Sequence, residues 1–234
     1  MQTVSPIHDM AAVTMIRIST GHGAAKLAPH RVKTTAMQET FERLAVAAEL
    51  NEEDSGRHIY RVGGVTGLLA AELGYDATTA NAMERAARLH DIGKLGLPGA
   101  LVARADVLSA AERKVMREHA GIGRKILQQA NDPAFDVACA IAYSHHERWD
   151  GSGCPQALAG AAIPDGARMV ALTEAFDVLT HGRAYQSAVT VTDALARRQQ
   201  ASGTHFEPRL VDALIKVVRR LHAEHGNDDA VLSD

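Results

Sequence analysis

The sequence has few aromatic residues, few cysteines and no long apolar run. Aromatic residues make up only 4% of the chain, so alanine, leucine and valine must fill the core, which favours closely packed helices. The two cysteines, Cys139 and Cys154, lie far apart, which indicates neither a disulfide framework nor a thiolate metal motif and is typical of a reducing cytoplasm. No segment reaches the apolar length of a membrane span. These absences favour a cytoplasmic, helical protein.

The charge is close to balanced. The formal net charge of −3 argues against a protein that covers a nucleic acid polymer with a basic face. A small anionic ligand stays compatible with this charge, because local charge decides such binding. With 234 residues, the chain is long enough to bury a substantial core, as one large domain or two small ones.

From Thr35 onward, apolar residues recur with a helical period nearly everywhere. One such stretch covers residues 59–73 and is expected to end at Gly74. The pattern predicts an all-α fold, a single helical bundle of roughly seven to eight helices. The predicted parts are a weakly structured N-terminal extension (1–35), the helical domain (36–223) and a flexible tail (224–234).

Imidazoles and carboxylates occur in an order that can build a two-metal centre. The series is His58, His90-Asp91, His119, His145-His146 and Glu174. Imidazole nitrogens and carboxylate oxygens are ligands for iron, manganese, zinc and similar ions. The adjacent residues His90 and Asp91 can serve two ions if the carboxylate bridges them, and two ions together suit the cleavage of a phosphodiester. Asp54, four residues before His58, would share its helical face.

The residues around these ligands resemble two family signatures. Residues 90–98 are similar to the signature of HD-domain phosphohydrolases, and residues 145–155 resemble the second signature of the HD-GYP subfamily. Residues 163–168, 176–180 and 203–208 fit the downstream part, so that the resemblance extends from about Thr40 to Leu221. It implies an all-α fold with a bi- or trinuclear metal centre that hydrolyses cyclic di-GMP to pGpG or GMP by metal-activated hydroxide.

The resemblance also implies the metal ligands. The residues that match the family's ligands are His58, His90, Asp91, His119, His145 and His146. Asp91 would bridge two ions. Asp54 stands where trinuclear members carry a glutamate, and Glu174 stands where the family usually carries an aspartate ligand. The expected cofactors are therefore two or three divalent ions, with iron or manganese as the leading candidates.

Three basic residues are candidates for binding the substrate. Lys94 matches the lysine that contacts the bridging solvent or the scissile phosphate, which makes it a catalytic candidate together with Asp91. Arg183 matches an arginine that contacts substrate phosphate. Arg148 is either a further substrate ligand or one half of a loop salt bridge with Asp150.

Two departures from the family pattern keep alternatives open. Cys154 replaces the tyrosine of the GYP triplet, and Gln186 stands where a basic residue is common. The full ligand set favours a cyclic di-GMP phosphodiesterase. The departures favour a low-turnover module of the same fold that binds a cyclic dinucleotide or a protein. A third alternative is another nucleotide phosphohydrolase of the HD superfamily.

The expected partners follow from these alternatives. The first is cyclic di-GMP or a related cyclic dinucleotide. A diguanylate cyclase (GGDEF) domain and a second copy of the chain are further candidates. Neither a nucleic acid polymer nor a membrane is expected.

Overall fold

The computed structural model describes residues 29–50, 56–104, 108–130, 135–181 and 187–225, without the side chains of 29–35 and 224–225. In these ranges the chain is helical and forms no β-strand. The α-helices are α1 (Pro29–Glu49), α2 (His58–Glu72), α3 (Ala77–Ala87), α4 (Gly99–Val102), α5 (Ala110–Met116), α6 (Glu118–Gln128), α7 (Asp136–Ser144), α8 (Asp165–His181), α9 (Val191–Gln200) and α10 (Pro208–His225). Two short 3-10 helices cover Ile92–Gly96 and Gly160–Ala162.

The predicted all-α fold is confirmed. Of the ten α-helices in the described ranges, only α4 and α5 are shorter than nine residues. In the part of the chain that the structure covers, no helix has the length and apolarity to cross a membrane. Helix α1 begins at Pro29, inside the segment 1–35 that the sequence assigned to an extension. The domain boundaries stay a prediction.

The core consists of two apolar clusters that meet at helices α2 and α8. One cluster contains Leu69 of α2, Phe176 of α8 and Leu214 of α10. The other contains Ile59 of α2 and Val170 of α8, together with residues of α3, α6 and α7. Burying one such large side chain contributes about 1.5–3 kcal/mol. Because α2 and α8 take part in both clusters, their positions relative to each other are strongly determined.

The ends of the helices follow local rules. Gly74 has a φ of +88°, so it adopts the left-handed conformation that the sequence predicted for the end of α2. Asp76 then caps α3, because its carboxylate accepts hydrogen bonds from the backbone amides of Thr78 (2.9 Å) and Thr79 (3.0 Å). The chain therefore turns sharply between α2 and α3, and these helices pack against each other.

Two helices end earlier than their sequence pattern predicts. Helix α3 ends at Ala87, so that His90 lies in the turn that follows and not on the helix itself. The stretch from Ser109, whose Ser-x-x-Glu pattern predicts the start of a helix, through His119 is divided at Arg117 into α5 and α6. In both cases a histidine ring bonds to the carbonyl of the last residue of the preceding helix. His90 bonds to Ala87, and His119 bonds to Met116.

One glycine sets the distance between the 3-10 helix Ile92–Gly96 and α6. A β-carbon at Gly93 would collide with the backbone of His119 and Gly123. Glycine therefore permits a close approach of two backbones that any other residue would prevent. This contact brings the His90-Asp91 turn next to the first turn of α6.

Candidate metal centre

Several elements deliver the predicted ligands to one place. His58 is the first residue of α2, and His90 and Asp91 lie in the turn after α3. The remaining ligands come from α6, the end of α7 and the middle of α8: His119, His145, His146 and Glu174. The structure brings these seven residues together in two neighbouring groups. Asp54 lies outside the described residues.

Asp91 belongs to both groups. The α2–α8 group comprises His58, His90, Asp91 and Glu174, and the α6–α7 group comprises Asp91, His119, His145 and His146. In each group, one ligand atom from every residue lies within 4.8 Å of the others, so that each group could hold one ion.

The two carboxylate oxygens of Asp91 face different groups. Its Oδ1 lies 3.2 Å from Nε2 of His119 and 3.5 Å from Nε2 of His145. Its Oδ2 lies 3.3 Å from Nε2 of His90. One oxygen thus points toward each group, which is the geometry of a carboxylate that bridges two cations.

Unpaired polar atoms in the centre fit bound cations. Nε2 of His58, Nε2 of His90 and Oδ1 of Asp91 are buried and form no hydrogen bond. In the α6–α7 group, Nε2 of His119 lies 3.1 Å from Nε2 of His146 and 3.4 Å from Nε2 of His145. Buried polar atoms without partners are unfavourable. A cation between these nitrogens and oxygens would remove that cost.

The other ring nitrogen of four histidines is already engaged, which leaves Nε2 for the centre. The acceptors of these Nδ1 atoms are Ala87 O for His90 (2.8 Å), Met116 O for His119 (2.6 Å), Ile141 O for His145 (3.1 Å) and Asp177 Oδ2 for His58 (2.7 Å). Asp177 is in turn held by Arg61, whose Nε lies 2.7 Å from Oδ1. Asp177 therefore orients His58 and belongs to neither group.

The carboxylates of the centre are ionised at neutral pH. Burial raises the pKa of Glu174, but the attraction of His90, His146 and His145 together outweighs it and lowers the pKa to about 2. Burial raises the pKa of Asp91, but the charges of Lys94 and His90, together with contacts from neighbouring histidines, hold it well below its usual value. Burial lowers the pKa of His90, but Asp91, Glu174 and Glu49 together outweigh it and raise the pKa to about 9. Cations that bind here would therefore displace protons from imidazole.

A buried lysine and glutamate lie beside the bridging carboxylate. Nζ of Lys94 is 2.6 Å from Oδ2 of Asp91 and 3.7 Å from Oε1 of Glu49. Glu49 is the last residue of α1, and its side chain is only 1% exposed. Sequence reasoning missed Glu49. Its only signal is its place on the apolar face of α1, next to Ala45 and Ala48, which are both buried.

A cavity of about 360 Å³ adjoins the centre. Its polar lining consists of His145, His146, Arg148, Glu174, Arg198 and His205. Arg148 lines the cavity and also forms the loop salt bridge, with its guanidinium 3.2 Å from Oδ2 of Asp150. Both roles that the sequence left open for Arg148 are therefore compatible with the structure. Arg183 lies outside the described residues.

The loop that carries Cys154 folds back over the end of α7. Glu147 is buried, and its carboxylate accepts hydrogen bonds from the backbone amides of Gln156 (2.6 Å) and Leu158 (3.1 Å). The amide of Cys154 donates to the carbonyl of His146 at 3.2 Å. Cys154 belongs to neither ligand group, and burial raises the pKa of its thiol, which disfavours a thiolate ligand.

Comparisons of the chain with known proteins show the family to which it belongs. Residues 32–210 match the family model described as HD domain. The cyclic di-GMP phosphodiesterase response regulator RpfG of Xanthomonas campestris pv. campestris is 39% identical over 179 residues, which cover 76% of this chain and 47% of that protein. A cyclic di-GMP phosphodiesterase of Thermotoga maritima is 33% identical over 183 residues, which cover 78% of this chain and 50% of that protein.

A solved structure has a similar fold. The cyclic GMP-AMP specific phosphodiesterase V-cGAP3 of Vibrio cholerae superposes with a TM-score of 0.59 at 20% identity, covering 83% of this chain and 52% of that chain. The chain spans about half the length of the curated relatives named above. The helical fold and the matched domain agree with the resemblance drawn from the sequence.

Proposed function

Because this chain belongs to the HD domain family, we propose that it is a metal-dependent phosphodiesterase that hydrolyses cyclic di-GMP to pGpG or GMP. The observation that carries the proposal is Asp91, whose two oxygens face two ligand groups. The names of the relatives, which are cyclic di-GMP phosphodiesterases, support this substrate.

The proposed cofactors are two divalent ions, iron or manganese, one in each ligand group. Seven residues would hold them: His58, His90, Asp91, His119, His145, His146 and Glu174. When bound, the ions supply Lewis acidity to the phosphate and to the attacking water. Asp54 is proposed as a ligand of a weaker third ion.

The side chains around the centre would position the substrate. The ammonium group of Lys94, 2.6 Å from Asp91, brings a positive charge next to the bridging carboxylate and can stabilise charge that develops on the phosphate oxygens. Arg148 lines the adjoining cavity and can contact the bound nucleotide. Arg183 is proposed to bind a substrate phosphate, as the family resemblance implies.

The alternative is a module that binds a cyclic dinucleotide and turns it over slowly. The observation that favours it is Cys154, which replaces the tyrosine of the family's loop signature.

A reducing cytoplasm is the proposed location, which the two free cysteines favour. A GGDEF domain and a second copy of the chain stay predictions as protein partners.

Metal analysis and an activity assay test the proposal. The protein is purified without oxygen, its metals are counted by mass spectrometry, and it is incubated with cyclic di-GMP, pGpG and cyclic GMP-AMP. We expect two ions per chain and release of pGpG or GMP from cyclic di-GMP. Tight binding of cyclic di-GMP without product, in protein loaded with both ions, would favour the binding module instead.

A further inference from the structure

Arg198 is a cation of the cavity that forms no ion pair with a carboxylate of the described residues. It lies on α9 and lines the cavity beside the metal centre. Its Nε is buried and forms no hydrogen bond. Among the described residues no acidic side chain pairs with it, and the charge of Arg197, which has the same sign, lowers its pKa in addition to burial. Arg148, on the same cavity, is paired with Asp150.

The guanidinium of Arg198 packs against an aromatic ring and has no counter-ion among the described residues. Its central carbon lies 5.2 Å from the centroid of the Phe206 ring, in a cation–π contact. Burial lowers the pKa of Arg198, yet a guanidinium stays charged at neutral pH. The neighbouring His205 is neutral at that pH, since burial, followed by Arg148 and Arg198, lowers its pKa to about 4.

An oriented, partly buried arginine without a carboxylate partner is suited to an anionic ligand. The guanidinium is a planar group of donors that matches the oxygens of a phosphate. The residues of the two ligand groups that line the same cavity are His145, His146 and Glu174. Arg198 belongs to neither group. A ligand that spans the cavity could therefore place one phosphate at the centre and a second anionic group at Arg198.

We infer that Arg198 binds the phosphate of the dinucleotide that is not being cleaved, and that it thereby selects diesters with a second phosphate over simple diesters. The inference rests on the proposed function, because it takes the scissile phosphate to lie at the metal centre. Arg198 is a specificity-determining residue in this view and takes no part in breaking the bond.

Two substrates and two variants test this role. Cyclic di-GMP carries two phosphates, whereas bis(p-nitrophenyl) phosphate carries only one. In Arg198→Gln we expect KM for cyclic di-GMP to rise about tenfold or more, and kcat/KM for bis(p-nitrophenyl) phosphate to stay unchanged. The control is Arg197→Gln, on the same helix, because Arg197 is exposed and does not line the cavity. Metal content and thermal unfolding are measured for each protein.

The outcomes separate the inference from the proposed function. If Arg198→Gln leaves cyclic di-GMP hydrolysis unchanged, or lowers the hydrolysis of both substrates equally, the inference is wrong. If the wild type binds cyclic di-GMP without cleaving it, the phosphodiesterase proposal fails. The inference then stands only if Arg198→Gln weakens that binding about tenfold while Arg197→Gln does not. A wild type that binds no cyclic dinucleotide overturns both.

Discussion

The two ligand groups that share Asp91 are built in different ways. In the α6–α7 group, His119 and His145 are oriented by backbone carbonyls three and four residues away, so that local helix geometry is sufficient to direct them. In the α2–α8 group, His58 is oriented by Asp177, which lies 119 residues further along the chain. This group therefore depends on the packing of α2 against α8.

The two groups also differ in charge. The α2–α8 group holds the carboxylates of Asp91 and Glu174, whereas the α6–α7 group holds three histidines and shares only Asp91. A group with two carboxylates attracts a divalent cation more strongly, but it requires distant elements to be in place. Two ions held by these groups would therefore respond differently to substitution, and the following predictions test this in order of decreasing effect.

Substitution of the shared ligand should affect both groups at once. We expect Asp91→Ala to lose both ions and all detectable hydrolysis while its circular dichroism spectrum stays helical, because each group loses the only residue that links it to the other. Metal analysis and the assay measure the effect, and Asp212→Ala, an exposed position on α10, serves as the control. Retention of two ions per chain in Asp91→Ala would contradict the bridging assignment.

Substitutions that each remove a ligand from one group only should show whether the two groups bind metal independently. Glu174→Gln removes a carboxylate from the α2–α8 group alone, and His146→Ala removes an imidazole from the α6–α7 group alone. We expect each variant to keep about one of two ions and to lose about 100-fold or more in kcat, because the proposed chemistry uses both ions. Loss of both ions from either variant would show that the groups do not bind independently.

The residue that orients His58 should have a smaller effect, limited to one group. Asp177→Asn keeps the shape of the side chain but removes the charge that faces His58 and Arg61. We expect metal affinity to fall about 10- to 100-fold for one ion and to stay unchanged for the other. Titration of the metal-free protein measures both affinities, with Asp212→Asn as the control. Equal weakening of both ions would indicate a general structural role.

The smallest effect is expected in the loop that departs from the family pattern. Cys154→Tyr should leave metal content unchanged and alter kcat/KM by about two- to threefold, because Cys154 belongs to neither ligand group. Cys154→Ser, which removes the thiol without adding a ring, is the matched control. Loss of bound metal in either variant would make Cys154 a ligand.

The fold and the order of ligands could be predicted because they depend on short-range patterns. The pairs His90-Asp91 and His145-His146 are adjacent in the sequence, and the Ser109–Glu112 capping box follows a local rule that the structure bears out. Helical periodicity likewise predicted the all-α class. Those features need only the residues within a few turns of one helix.

What the sequence could not predict depends on packing between distant elements. Glu49 looks like an ordinary helical acid until α1 brings it to Lys94. Asp177, one turn after Glu174, could be expected to orient a neighbour, but its partner His58 lies 119 residues away and could not be predicted. Arg198 and His205 acquire a role only because they line the cavity together with Arg148. No local pattern distinguishes such residues from solvated ones.

The contact at Gly93 fixes the distance between two backbone segments of the centre. Two stretches of main chain touch there without a side chain between them, one leading from Asp91 and the other carrying His119. Main-chain separation cannot be tuned by rotamer changes, so the distance between the backbone segments that carry Asp91 and His119 is expected to tolerate repacking elsewhere in the bundle. A fixed distance of this kind would favour substrates whose oxygens have one particular separation, whichever side chains line the cavity.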